Sequence, residues 1–476
     1  MRILFLQDSG INESLALCDL SAALLAAGHQ TRLYLGDEEP ALDQKIREYN
    51  PALCVIPCSV AGHTWPLSAA ARVKRLLPEC FVVLGGTHVT FSPEVAGEPG
   101  VDAACIGEAE GAMVELAERL DAGKSVEDVR NLAFMRDGML LKNPLRPLVD
   151  PLDSLPIPDR DLYFRYRFIS RFPWKKFTTG RGCVHSCSFC WNTTLRGMYA
   201  AGGEFARRKS PERVVDEIQR VKSAHPTQHI HFSDDLFTLR PSWLEAFAPL
   251  YRKGVGLPFT ANTSVELVTE RVVDALVAAG CQGLAIGIET GNEKLREKIL
   301  NKTVSNDDVR HAAKLIKSRG LRLTTFNMIA SPGETLEDAF STLRLNREIG
   351  ADYVRVNLAV PIPHTSFDAN ARESGHLDGY APDRIQELKR PEVAFHLQDA
   401  RAFRNLFYLF RLGVHLPVAE GLVRRLVQLP VALDPLRALI PFEEKRIYNL
   451  GWVDGLRYFR HVGDPHKRTT NYVSLI

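Results

Sequence analysis

Twice along this chain, short apolar runs alternate with amphipathic segments of helical period, and that alternation restricts it to parallel-sheet α/β architectures. In the first series, strands are expected at Arg2–Leu6, Thr31–Leu35, Ala52–Ile56, Phe81–Leu84 and Ala103–Ile106, with a helix over Glu13–Ala27 after the first. Such an order predicts a doubly wound parallel sheet covered by helices on both faces. In the second series, strands are expected at Lys176–Thr179, His229–Phe232, Phe259–Asn262, Gly283–Ile288, Leu323–Met328 and Tyr353–Leu358. Helices at Pro211–Ser223, Pro241–Arg252, Thr269–Ala279, Asp307–Arg319 and Thr335–Ile349 join them. Six strands and five helices in alternation suit an open, partial TIM-type (β/α)6 barrel. Gly280, Gly320 and Gly350 stand just past three of these helices, where a left-handed cap is wanted.

Between the two series, Pro144, Pro147, Pro151, Pro156 and Pro158 break any helix or central strand. The expected organisation is therefore an N-terminal domain over 1–140, a linker over 141–170, the barrel over 171–375 and a helical extension over 376–476. Within that extension Phe403–Phe410 and Val418–Leu429 are apolar with arginines interspersed. Packing on the barrel is the plain reading; a basic amphipathic face lying on a membrane surface or a lipid substrate is the sharper one. No run approaches the ~18 apolar residues of a spanning helix, and Ile3–Leu6 is too short for a signal-peptide core. The cytoplasm is the compartment expected. A net charge of +2 is no nucleic-acid footprint.

Nine cysteines, odd in number and thinly spread, make a disulfide scaffold a poor expectation. Cys54, Cys80 and Cys105 lie in or beside apolar runs and read as small buried hydrophobes. Only Cys183, Cys187 and Cys190 cluster, in Arg181-Gly182-Cys183-Val184-His185-Ser186-Cys187-Ser188-Phe189-Cys190-Trp191, just after the first barrel strand. Three thiolates on a short loop can hold three irons of a cubane cluster and leave the fourth iron open to a small chelating molecule. The competing metal is zinc, which prefers four ligands and paired C-x2-C spacing. His185 is the only local fourth candidate, and no second cysteine pair follows.

With its C-x3-C-x2-C spacing, this loop resembles the signature of the radical S-adenosylmethionine superfamily. Residues 1–365 resemble the branch with an N-terminal, Rossmann-like cobalamin-binding domain, which includes class B methyltransferases and the anaerobic magnesium-protoporphyrin cyclase type. The resemblance implies an enzyme with a 4Fe-4S cluster on Cys183, Cys187 and Cys190, S-adenosylmethionine chelated to the open iron, and cobalamin. It implies reductive cleavage of S-adenosylmethionine, hydrogen abstraction from the substrate, and an electron donor such as flavodoxin or ferredoxin. Phe189 would set its backbone against the adenine. Ser233, Asp234 and Asp235, in Phe232-Ser233-Asp234-Asp235-Leu236-Phe237, would meet the methionine ammonium, which wants carboxylate or carbonyl acceptors. A helix cap or turn ahead of Pro241 is the plainer role for that acidic pair. Asn262, Glu289 (in Gly287-Ile288-Glu289-Thr290-Gly291) and Asn327 would complete the S-adenosylmethionine contacts. Ser331-Pro332-Gly333-Glu334-Thr335 stands where the family often has an extra glycine, and this turn also suits the start of a helix.

For cobalamin the resemblance points to Ser59, to Gly85, Gly86 and Thr87 ahead of His88, and to Gly107 and Glu108. Glycines there let backbone approach a bulky corrin or its nucleotide tail. The first loop, Asp8-Ser9-Gly10-Ile11-Asn12-Glu13, lacks the Asp-x-His-x-x-Gly pattern whose histidine ligates cobalt, so cobalamin is expected without a protein histidine on the metal. The function implied is C-methylation of an unactivated carbon in a small metabolite or lipid. The alternatives are radical cyclisation or oxidative rearrangement without methyl transfer, and a non-enzymatic metal-binding structural module. Neither fold nor motif names the substrate.

Overall fold

Seven strands form the first sheet of the computed structural model, which describes residues 1–9, 13–36, 38–59, 62–200, 203–377, 393–416 and 420–433. They are β1 (Arg2–Gln7), β2 (Gln30–Leu35), β3 (Leu53–Pro57), β4 (Phe81–Gly85), β5 (Ala103–Cys105), β6 (Leu132–Arg136) and β7 (Met139–Lys142), in the order β2-β1-β3-β4-β5-β6-β7. The first five pair in parallel, and Ile3, Leu4, Phe5 and Leu6 are fully buried, as a strand covered on both faces requires. The strand order reverses between β1 and β3, which makes the carboxyl edge there the crevice where such sheets bind ligands.

The last two strands are antiparallel and were not among those expected. Asp137 and Gly138 both have positive φ, 49° and 76°, the tight hairpin turn that an Asp-Gly pair favours. The compact unit that holds this sheet spans Met1–Phe172 and takes in Tyr199–Glu204. Within it the proline-rich segment carries short helices at Asp161–Phe164 and Arg167–Ser170, and Ser21 Oγ donates to Asp159 Oδ2 at 2.6 Å.

A second unit, Pro173 to Met198 with the described residues from Phe205 to 433, contains a six-stranded, all-parallel sheet curled into a partial barrel. Its strands are β8 (Trp174–Phe177), β11 (His229–Phe232), β12 (Phe259–Thr263), β13 (Cys281–Glu289), β14 (Arg322–Ile329) and β15 (Tyr353–Leu358), in sequence order across the sheet. A short antiparallel pair, β9 (Gly180–Arg181) with β10 (Arg207–Arg208), follows β8. Side chains alternate along each strand. One face is buried under the helices: Phe232 and Phe259 pack edge-on to Phe247 or Tyr251 of helix Pro241–Gly254. The other face, half-buried, is the concave inner wall.

Local signals place the helices. Ser305 with Asp308, and Thr335 with Asp338, form reciprocal capping boxes at the starts of Asn306–Ser318 and Leu336–Glu348. The Ser331–Thr335 turn therefore does start a helix. Gly280, Gly320 and Gly350 take φ of 98°, 76° and 61°, the left-handed stops expected of them.

The extension's described part comprises helices Ala400–His415 and Glu420–Val427. Phe403, Leu406 and Phe410 are buried, Arg347 Nη2 donates to Gly413 O at 2.6 Å, and Arg411 Nε donates to Val354 O at 2.9 Å. The buried face of Ala400–His415 thus packs on the barrel, while Leu412 is exposed. The rest of the expected extension, 378–392, 417–419 and 434–476, lies outside the described residues. Among the described residues no helix is long and apolar enough to cross a membrane.

Candidate functional site

The cysteine loop leaves β9 at the carboxyl edge of the barrel and ends in helix Trp191–Met198. It is pinned from several sides. Ser188 N donates to Leu300 O at 3.0 Å and Ser188 Oγ to Ile299 O at 2.6 Å. Asn301 Nδ2 donates to Ser186 O at 2.6 Å, and Thr193 Oγ1 to Cys187 O at 3.0 Å. Arg196 ties the other side: its Nη1 donates to Val184 O at 2.6 Å and its Nη2 to Ser186 Oγ at 2.6 Å. Sequence reasoning gave Arg196 no role; nothing local distinguishes it from an ordinary surface arginine.

All three cysteines are half-buried free thiols. Burial pushes each of them up to about 11. Lys302 opposes this at Cys187, and Arg196 opposes it at Cys183. The thiols lie within electrostatic reach of one another, Cys183 with Cys187 and Cys190, and Cys187 with Cys190. Among the described residues no three His, Cys, Asp or Glu side chains converge as a single metal ion requires. A cubane cluster instead takes each thiolate on a different iron. His185, the one local fourth ligand for zinc, is engaged: its Nε2 lies 3.0 Å from Ser264 Oγ and its Nδ1 3.9 Å from Glu266 Oε1. The donor set fits a three-thiolate cluster.

Two adjacent aspartates, equal as sequence, have opposite surroundings. The Asp234 carboxylate is buried and accepts from Thr179 N at 3.0 and 3.1 Å and from Thr179 Oγ1 at 2.6 Å, with Arg208 Nη1 at 3.8 Å. It caps no helix; Arg240 precedes Pro241 without a side-chain cap. These bonds also explain why β8 stops at Phe177, two residues short of expectation: the Thr179 N–H goes to a carboxylate instead of a neighbouring strand. Asp235 is exposed, accepts from Asn192 Nδ2 at 3.0 Å, and is an electrostatic neighbour of Cys183 and Cys190.

Near that aspartate, Ser233 N donates to Phe177 O at 2.9 Å, which leaves Ser233 half-buried at the strand end. Asn262 Nδ2 reaches Asp234 O at 3.4 Å, while Asn262 Oδ1 is buried with no partner among the described residues. A buried amide oxygen without a donor is costly unless a ligand supplies one. Glu289 sits at a break in the β13–β14 register with φ of 65° and lies 3.3 Å from Lys302 Nζ, which also donates to Gly287 O at 2.6 Å. Glu289 is in turn an electrostatic neighbour of Cys187. Lys302, thirteen residues beyond Glu289 on a separate loop, carries no motif that sequence reasoning could use. Phe189 packs on the Leu300, Phe367 and Ala371 cluster.

Asn327 is 2% exposed and fully bonded between strand and helix: Nδ2 to Thr325 Oγ1 at 3.0 Å and to Arg355 O at 3.1 Å, and Oδ1 from Asn346 Nδ2 at 2.7 Å. The structure therefore brings Asp235 and Glu289 to the cysteines and sets Ser233 and Asn262 at the neighbouring strand ends, whereas Asp234 and Asn327 have their polar groups committed to holding strands.

In the first unit the named residues line the carboxyl edge of the sheet. Ser59 is exposed after β3, and Gly85, Gly86 and Thr87 lead from β4 into helix Thr87–Phe91. Gly86 has φ of 110°, and a Cβ there would lie 2.8 Å from Cys58 O. Gly107 has φ of 74° and donates its N–H to Thr90 Oγ1 at 3.1 Å. At both glycines the place of a side chain is taken by the protein itself, Cys58 O at Gly86 and the Tyr199 hydroxyl at Gly107, so these loops fold tightly at the edge where the sheet binds ligands. Glu108 Oε2 accepts from Val149 N at 2.9 Å, and Glu108 N donates to Tyr199 Oη at 3.3 Å. His63 and His88 stack on each other at 4.2 Å. Gly10, Ile11, Asn12, Val60 and Ala61 of these loops lie outside the described residues.

Three clustered thiols at the carboxyl edge of a partial barrel define an iron–sulfur enzyme site. Comparison with known proteins agrees. A model of the radical SAM superfamily matches residues 177–345, and a model of the B12 binding domain matches residues 1–117. An uncharacterised methyltransferase of Pyrococcus horikoshii is 28% identical over 324 residues, 67% of this chain and 69% of that protein. The anaerobic magnesium-protoporphyrin IX monomethyl ester cyclase of Rubrivivax gelatinosus is 27% identical over 307 residues, 62% of this chain and 54% of that protein. The solved structure of the cobalamin-dependent S-adenosylmethionine radical enzyme OxsB matches with a TM-score of 0.68 at 15% identity, over 98% of this chain and 76% of that one, a likeness of fold. The chain belongs to the radical S-adenosylmethionine superfamily, in the branch that carries a cobalamin-binding domain ahead of the barrel. It is an enzyme of the methyltransferase-containing group, and its cofactors are a 4Fe-4S cluster, S-adenosylmethionine and cobalamin.

Proposed function

We propose that this enzyme methylates an unactivated carbon of a small metabolite or lipid. Bound at Cys183, Cys187 and Cys190, the cluster supplies the electron that breaks a sulfonium carbon–sulfur bond, and cobalamin supplies the methyl group. The rest is the work of this chain's own side chains. Arg196, Asn301 and Thr193 hold the cysteine loop in one conformation, so that three thiols are preorganised. Asp235 and the open carbonyl of Asn262 offer acceptors to the ammonium and hydroxyl donors of S-adenosylmethionine, with Ser233 beside them. Lys302 fixes the carboxylate of Glu289 at the strand end, where it can accept from a ribose hydroxyl. Asp234 and Asn327 keep the strand ends in register and do not touch the ligand. In the first unit the glycine loops and Ser59 would hold cobalamin at the carboxyl edge of the sheet.

The observation that carries this reading is the three-thiol loop flanked by Asp235 and Glu289 in a chain that also bears a B12-binding domain. Similarity to the cyclase supports a second reading, ring closure or oxidative rearrangement without methyl transfer. Methyl-labelled S-adenosylmethionine separates the two. The anaerobically reconstituted enzyme is given cobalamin, reductant and a pool of small metabolites and lipids. Label in a new product is the expected result. Formation of 5′-deoxyadenosine with a dehydrogenated or cyclised, unlabelled product would overturn methyl transfer.

A further inference from the structure

Strand β13 ends in an irregularity that a buried cation holds in place. Gly287 stands opposite Phe326, whereas Glu289 stands opposite Asn327, so β13 carries one residue more than its neighbour at this point. A bulge of this kind re-aims the side chain beside it. Thr290 N donates back to Ile288 O at 2.9 Å, which closes a three-residue γ-turn about Glu289, and Glu289 takes a φ of 65°. This is the rarer, strained form of the turn, and a residue other than glycine keeps it only where the surroundings over-determine it. Here they do. Arg296, on helix Glu293–Lys298, is fully buried. Its Nε donates to Ile288 O at 3.1 Å and its Nη2 to Thr290 O, so one guanidinium grips the carbonyls on both sides of Glu289. The guanidinium is itself fixed: Nη1 donates to Val304 O at 2.6 Å and Nη2 to Asn306 Oδ1 at 2.8 Å. Asn306 Nδ2 in turn donates to Gly291 O at 2.9 Å. With Lys302 on Gly287 O, each carbonyl flanking Glu289 from Gly287 to Gly291 has a side-chain donor.

We propose that Arg296 is a positioning residue for S-adenosylmethionine: by gripping Ile288 O and Thr290 O it sets the turn that presents the Glu289 carboxylate to the ligand. The inference rests on the reading of Glu289 as an acceptor for a ribose hydroxyl, and it assigns the residue that makes Glu289 one. A planar fork with donors in fixed directions serves both carbonyls at once, whereas an ammonium on a flexible stem does not hold them in one geometry. Without the grip, the chain at Glu289 relaxes toward an ordinary strand conformation and the carboxylate leaves its place. The hydrogen bond then lost has a charged acceptor, so binding weakens by about tenfold or more.

The test is a double-mutant cycle on binding of S-adenosylmethionine to the oxidised, reconstituted holoenzyme, measured by equilibrium dialysis with labelled S-adenosylmethionine. Arg296→Lys and Glu289→Gln should each weaken binding by about tenfold. Combined, they should bind no more weakly than Glu289→Gln alone, because Arg296 acts through that carboxylate. A merely structural Arg296 would instead weaken binding by the same factor in both backgrounds. Iron content and the unfolding midpoint report that each variant has folded. Should Arg296→Lys fail to fold, Asn306→Ala runs the same cycle; it removes one acceptor of the guanidinium and the donor to Gly291 O, with an expected loss of about threefold. Losses that multiply in the double variant would overturn the proposal. Arg296→Lys that binds as wild type while Glu289→Gln binds weakly would overturn the positioning role alone. Glu289→Gln that binds as wild type would overturn the ribose contact and the proposal with it, so the two failures are distinguishable.

Discussion

Replacing Asp234 by alanine should damage the barrel far more than the same change at Asp235. The Asp234 carboxylate accepts three hydrogen bonds from Thr179 and faces a buried guanidinium, Arg208, which reaches it through Thr179 Oγ1 at 2.5 Å as well as directly. Truncation leaves the Thr179 N–H without an acceptor, worth about 1–3 kcal/mol, and an uncompensated buried charge, worth about 3–5 kcal/mol. Burial also pushes the Asp234 carboxyl up, against Arg208 and the Thr179 donors, so part of that charge is already held at a cost. A net loss of about 4 kcal/mol follows, or roughly 8–16 °C in Tm at about 2–4 °C per kcal/mol. Asp235 is exposed and makes one bond, to Asn192; Asp235→Ala should stay within about 0.5 kcal/mol. Thermal and urea unfolding of both variants under anaerobic conditions, with binding of S-adenosylmethionine measured alongside, checks the pair. Asp235→Ala should weaken binding in a stable protein. Equal stability of the two variants, or a loss below about 1 kcal/mol at Asp234, would refute the division of labour between them.

Glu334 is buried, accepts from Ser331 N at 2.8 Å through one oxygen, and is pushed up to about 8 by burial. The folded barrel therefore keeps a proton that the unfolded chain releases. Stability from this site is full below about pH 4.5 and is lost as pH climbs through 8, on the order of a few kcal/mol in total. Glu334→Gln should flatten that slope in urea titrations run across this range; parallel slopes for wild type and variant would refute it. Gly86→Ala places a Cβ 2.8 Å from Cys58 O on backbone at φ of 110°, so it should destabilise the first unit by about 2 kcal/mol or more. Corrin absorbance retained after desalting should fall with it, and full retention would contradict a role for the tight Gly86 turn in holding cobalamin. Arg196→Ala removes three donations to the cysteine loop and should lower iron content on reconstitution while leaving the unfolding midpoint of the barrel within about 1 kcal/mol.

What the amino-acid pattern reveals here follows the range of the interactions involved. Gly280, Gly320 and Gly350 could be placed because a left-handed stop is decided within one turn of chain. The same holds for the parallel strands, whose burial on both faces writes a continuous apolar run. The hairpin of β6 and β7 was missed although Asp137-Gly138 signals it, because Met139–Lys142 is a largely exposed edge strand without that run. Asp234 and Asp235 were indistinguishable, since what separates them is a bond to Thr179, 55 residues earlier. The pairing of Glu289 with Lys302 and the pinning of Ser188 by Ile299 and Leu300 depend on loops and sheet curl. Only the three-dimensional arrangement supplies those, whereas the three cysteines, all within one short loop, announced themselves.

The most direct measurement combines two readouts on one sample: iron and acid-labile sulfide content with the reduced-cluster EPR signal, and release of 5′-deoxyadenosine from S-adenosylmethionine. Protein purified and reconstituted without oxygen should carry a 4Fe-4S cluster and cleave the sulfonium, and Cys187→Ala should lose both. Protein that carries zinc in its place, leaves S-adenosylmethionine whole, or keeps full turnover as Cys187→Ala would contradict the account.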